Sequence, residues 1–117
     1  MAAPNIKTAT TFTGKTAVLA VTTVATDIVS NAAASGKVLK INSLNIANVD
    51  GSASANITAS LYRSGVEYPL AFTVAIPADN SLELISSRIY LEEGDSLRLT
   101  ASANGDLTAV VSYEEIS

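Results

Sequence analysis

Apolar residues recur at every second position along most of the chain, and a helical period of 3.6 is nearly absent. The clearest run is "VEYPLAFTVAI". In it Val66, Tyr68, Leu70, Phe72, Val74 and Ile76 alternate with Glu67, Pro69, Ala71, Thr73 and Ala75. Alternation of this kind writes a strand with one face for a core. Ser64-Gly65, just before it, predicts a two-residue hairpin turn. That turn pairs Arg63 with Val66, Leu61 with Tyr68, Ala59 with Leu70 and Ile57 with Phe72, so opposed residues share a face. In "SLRLTASANGDLTAVVSY" a three-residue loop, Ala103-Asn104-Gly105, predicts a second hairpin that sets Leu97 against Val111 and Leu99 against Ala109. Leu61, Leu70, Phe72, Leu97, Leu99 and Val111 are the expected core.

Two segments break the simple pattern. "KVLKINSLNIANV" changes parity: Leu39 and Ile41 are odd, Leu44 and Ile46 even. A bulge or bend at Asn42-Ser43 keeps all four inside. "TAVLAVTTVATDIV" is apolar on both faces, which is unusual in a small antiparallel protein and calls for cover of its second face, either by the rest of this sequence or by another chain. Pro69 cannot donate to a ladder, so its strand belongs at a sheet edge or carries a bulge. The outer face of that edge is small and nearly uncharged, a second place where cover by a neighbour is expected. About eight strands with turn signals every 8–12 residues predict an all-β antiparallel sandwich, a jelly roll or a related Greek key. Residues 1–15 carry no core pattern and read as an extended arm, leaving 16–117 as a single sandwich domain.

Composition supports one domain: 117 residues can fold around one core without metals or disulfides. Charged residues make up only 15%, low for a surface that faces water everywhere. The net charge of −4 argues against a nucleic-acid partner. Residues 1–58 carry +2 and residues 59–117 carry −6, an asymmetry suited to head-to-tail docking. No apolar run is long enough for a membrane span or a signal peptide, so the expectation is a chain kept in the cytoplasm, with no membrane partner.

Candidate chemistry is sparse. Without His or Cys, the Ser-His and Cys-His nucleophile arrangements and the zinc sites built on those residues are excluded. Glu92-Glu93 and Glu114-Glu115 are sequence neighbours that point opposite ways on extended chain, so neither makes an acid–base pair. "LEEGDSL" gathers Glu92, Glu93 and Asp95 around Gly94 but lacks the spacing of a calcium loop and reads as a turn. Tyr68, Phe72 and Tyr113 fall on the expected core parity. Tyr62 and Tyr90 fall outside it, too far apart for a sugar-stacking platform. The expectation is no enzyme, no cofactor and no metal. Contact residues are expected on the arm (Ile6, Phe12), on the two-sided apolar segment (Val18, Val21) and on the edge (Pro69, Ala71, Thr73).

The order of these segments resembles small all-β virion proteins of tailed bacteriophages. It runs from a polar Ala/Thr arm to "KVLKINSLNIANVDGSASANITASLYR", "YPLAFTVAIPADNSLELI", "IYLEEGDSLRLTAS" and a short β end at "AVVSYEEI", covering about residues 16–116. The resemblance implies a non-enzymatic structural protein of a phage particle, foremost a capsid decoration or cement protein. It implies as partners the major capsid protein or other virion proteins and further copies of itself, a trimer by preference, with a place in the virion after assembly in the host cytoplasm. A neck, tail or baseplate component is the alternative within that class, and a carbohydrate-binding or adhesin module outside it.

Overall fold

The computed structural model describes residues 7–85 and 88–117. Among these, all regular structure is β: β1 (Phe12–Ala20), β2 (Thr26–Ser30), β3 (Val38–Asn48), β4 (Ala55–Arg63), β5 (Val66–Ile76), β6 (Ser81–Glu83), β7 (Ile89–Leu91), β8 (Ser96–Ala101) and β9 (Leu107–Ile116). They form two antiparallel sheets, a sandwich. One has the order β1-β9-β3-β6 with β7 also on β3; the other has β2-β8-β4-β5. Apart from β4 and β5, strands consecutive in sequence do not pair, and the chain keeps crossing between the sheets.

Regular structure begins at Phe12, inside the segment expected to be an arm. Residues 12–20 pair with β9 in unbroken register, from Phe12 opposite Ile116 to Ala20 opposite Thr108. The two-sided apolar segment divides into β1 and β2, which go to different sheets. Val21 marks the division: it is 1% exposed, and its N–H donates to the Leu107 carbonyl at 2.9 Å.

The parity switch in β3 is a bulge, as expected. The register with β9 slips between Ile41 and Ser43, and Leu39, Ile41, Leu44 and Ile46 are all buried. They meet Leu97, Leu99, Ile57 and Ala59 from the other sheet and Val111, Ala109 and Leu107 from β9 in one core. Two buried asparagines tie the layers together. Asn31, following β2, donates through Nδ2 to Leu91 O of β7 at 3.0 Å. Asn48, ending β3, donates to Ile76 O of β5 at 2.9 Å.

The second hairpin does not exist. β8 pairs with β2 and β4, while β9 pairs with β1 and β3 in the other sheet. Leu97, Leu99, Ala109 and Val111 share a parity because they face one interior from opposite layers, and a parity match cannot tell a facing strand from a paired one. The first hairpin is present at its turn, with Arg63 opposite Val66 and Leu61 opposite Tyr68, but it then slips twice. Ala59 lies opposite Ala71 and Ile57 opposite Val74, so Leu70 and Phe72 leave the core set and stand exposed. Leu61 is half-buried, whereas Leu97, Leu99 and Val111 are fully buried.

Leu99 sits at the centre of this core with no exposed surface. Leu99→Ala is expected to lower the unfolding free energy by about 2–5 kcal/mol, read from a denaturant titration.

Candidate interaction surface

The surface with most to explain is the β5 side. Pro69 has no N–H to give and stands opposite Ser60; the ladder slips at Leu70 and again between Phe72 and Val74. At the second slip Thr73 takes φ 48°, in the left-handed region that a β-branched residue adopts only when its surroundings impose it. The bulge is held by two hydrogen bonds. The Thr73 N–H donates to Thr58 Oγ1 at 3.0 Å, and Thr73 Oγ1 donates to the Phe72 carbonyl at 2.8 Å. Bulges of this kind re-aim side chains. Here Leu70 and Phe72 stand in water at 41% and 70% exposure, and Val66 and Tyr68, which precede the first slip, are exposed at 49% and 53%. Their neighbours along the strand are Glu67, Pro69, Ala71 and Thr73, of which only Glu67 is charged. An uncharged, apolar row of this length fits burial against another surface better than permanent hydration.

The other face of interest lies on β1. Gly14, Thr16 and Val18 share the outer face of their sheet with Glu114, Ser112 and Val110 of β9. Val18 is 73% exposed, beside a partly exposed Val110. A shallow depression lies at Gly14, lined by Phe12, Thr16, Asn42, Ser112 and Glu114 among others.

The residues expected to make contacts therefore separate. Phe12 and Val18 are exposed on β1; Pro69 and Thr73 are exposed on β5, with Ala71 half-buried between them. Val21 is inside, because the chain turns there to leave β1. Ile6 lies outside the described residues. Sequence reading placed Tyr68, Leu70 and Phe72 in the core and so missed the exposed row. Pro69 was the one available signal for the bulges.

The acidic turn is a structural clamp. Arg63, ending β4, donates from Nε to Asp95 Oδ1 and from one terminal nitrogen to Glu92 Oε2, both at 2.9 Å, and also reaches Asp95 Oδ2. Asp95 accepts in addition from the Glu92 N–H at 2.8 Å and is 2% exposed. Glu93 accepts from the Gly36 N–H. Among the described residues no cluster of potential metal ligands forms. Burial disfavours the charged form of Asp95, but the bonds from Arg63 and the Glu92 N–H outweigh it and hold its carboxyl below its ordinary value. Close to the same turn, with Asn31 bonded to both the Asp95 and Lys37 carbonyls, Lys37 and Lys15 bond to Glu115 at 2.8 and 3.1 Å and hold it low as well. These ion pairs occupy two of the cations counted toward head-to-tail docking. On the outer face of the second sheet Arg98 stacks over Tyr62, 3.5 Å from the ring centroid, and bonds Asp27. One face of Tyr62 is thus occupied.

No protein-family model and no curated protein matches this chain. Two solved structures share its fold. One, described under the words "Bacillus endospore appendages form a novel family of disulfide-linked pili", has a TM-score of 0.55 at 12% identity and covers 92% of this chain and 87% of that one. The other belongs to the acid-stable capsid of Helicobacter pylori bacteriophage KHP30, with a TM-score of 0.54 at 5% identity, covering 93% and 90%.

Two outcomes follow from this geometry. Arg63→Ala leaves a buried carboxylate short of its main donor, a loss expected to cost about 1–3 kcal/mol at neutral pH. The depressed Asp95 contributes stability above its unfolded pKa of about 3.9 and loses it as pH falls through the lower folded value, so the deficit of the variant should shrink in melts run below about pH 4. Thr73→Asn exchanges a left-handed β-branched residue for one that tolerates this region without glycine's entropy cost, and should raise the unfolding free energy by about 0.5 kcal/mol, measured by the same titration.

Proposed function

We propose that this chain is a non-enzymatic structural protein of a tailed-phage virion, a decoration or cement protein that seats on major capsid subunits after assembly in the host cytoplasm. The observation that carries the reading is the β5 side, where two bulges turn Leu70 and Phe72 out of the core while Pro69 blunts the edge. A strand so built resists addition of another strand. It still offers Val66, Tyr68, Leu70 and Phe72 as side-chain anchors, the type of group that dominates association energies when seated in a partner's pockets. Contacts from Pro69, Ala71 and Thr73 flank the anchors, and Phe12 and Val18 lie on a separate face open to further copies.

The strand order supports the same class. Counting β6 and β7 as one interrupted strand, we read β1-β9-β3-β6 over β2-β8-β4-β5 as the order of an eight-stranded jelly roll, an architecture used by viral capsid and lectin domains. The two structural neighbours, one from a phage capsid and one from a pilus, are both parts of assemblies. The pilus is described as disulfide-linked, and these 117 residues contain no cysteine for such a link, which favours the virion reading. A threefold arrangement on the shell remains the expected copy number at the β5 contact.

The test is incorporation. Intact chain added to shells of major capsid protein should bind at fixed stoichiometry and appear on the outer lattice by electron microscopy. Phe72→Ser should reduce binding at least about tenfold while leaving the thermal midpoint unchanged, because the side chain is already in water. Binding confined to necks, tails or baseplates would move the protein to that part of the particle. Failure to bind any virion part would refute the proposal.

A further inference from the structure

Sheet edges invite pairing with other chains unless something blocks them, and three of the edge regions here are blocked. β5 carries Pro69 and two register slips. β2 has only five residues and a slip between Asp27 and Val29. β6 and β7 have three residues each. β1 differs in every respect. Its nine residues pair with β9 without irregularity, contain no proline, and have β9 as their only strand partner among the described residues. Its one charge, Lys15, is engaged by Glu115 of the same chain.

We infer that β1 pairs with β1 of a second copy, antiparallel about a two-fold axis at Thr16, joining the two β1-containing sheets into one. The choice of occupant follows from the strand's own sequence. Pairing about Thr16 sets Gly14 opposite Val18 of the second copy and Phe12 opposite its Ala20, with residues of like parity on one face. Val18, the most exposed large apolar side chain among the described residues, then stands beside the depression at Gly14, where nothing lies within 4 Å of the position a Cβ would take. Phe12 reaches the same Val18 on the diagonal. The symmetry repeats the contact, so the knob of each chain meets the hollow of the other and the contact occurs twice. Lys15 falls opposite Ala17, so like charges are not opposed. An isologous contact of this kind closes at two copies. It uses a different surface from the β5 contact and does not depend on where the protein works.

Sedimentation equilibrium of the intact chain should give twice the 12.0 kDa of one copy. Thr16→Cys places one thiol in an otherwise cysteine-free chain, at the point where the axis brings a residue against itself. Directly opposed Cβ atoms lie about 4.5–5.5 Å apart, close to disulfide reach. Mild oxidation should therefore convert this variant to a covalent dimer, reversed by reductant. Ser102→Cys, exposed and far from the axis, should stay monomeric on a non-reducing gel. Val18→Lys should weaken dimerisation about tenfold or more while leaving the circular dichroism and thermal midpoint unchanged. A monomer at high concentration, equal cross-linking of the two cysteine variants, or a Val18→Lys dimer of unchanged affinity would each overturn the inference.

Discussion

The interior depends on a single slip in the central strand. β3 lies between β9 and the short strands β6 and β7, and it supplies Leu39, Ile41, Leu44 and Ile46 to the core. A strand of strict alternation would bury either the first pair or the second. The extra residue between Ile41 and Ser43 resets the phase, so eleven residues keep one apolar face although their sequence alternation changes midway. With the face restored, the opposite sheet can bring Ile57, Ala59, Leu97 and Leu99 against it. The amides of Asn31 and Asn48 then pin the layers near their margins, using groups that would be costly to bury unbonded.

The same device serves the opposite end in β5. In β3 the bulge keeps apolar side chains in; in β5 two bulges put them out. The difference lies in what faces each strand. β3 is sandwiched between paired neighbours and packed layers. β5 has β4 on one side only, and its proline leaves the strand one backbone donor short. A backbone strained at Thr73 persists because Thr58 holds it, and the protein gains a projecting aromatic ring from that strain. Edge protection and partner presentation are here two effects of one irregularity.

How much of this was legible follows from what period-two patterning encodes. It encodes face, and the faces of Leu39, Ile41, Leu44, Ile46, Leu97, Leu99 and Val111 were read correctly, including the need for a slip at Asn42-Ser43. It does not encode which strand is the neighbour. The turn at Ser64-Gly65 was local enough to read, since two adjacent residues with positive φ dictate a hairpin. The connection through Ala103-Asn104-Gly105 has equally turn-like residues, yet it spans the two layers. The exposed row was hidden for another reason: Leu70 and Phe72 alternate perfectly in sequence, and only the three-dimensional slip opposite Ala59 and Ile57 removes them from the core. Proline at 69 marked the place without giving the direction.

The interleaved strand order also has a temporal consequence. Sheet β1-β9-β3 has its latest-made strand in the middle, so β1 and β3 cannot be joined until residues 107–116 have been synthesised. Until then a ribosome-bound chain can close the local β4–β5 hairpin but must hold β1 with both of its edges bare. Long-range pairing of this kind is slow and exposes sticky strands while it waits. The first third of the chain has little charge to keep that waiting segment apart from other chains, so a composition suited to a flat contact surface leaves the nascent protein open to premature pairing.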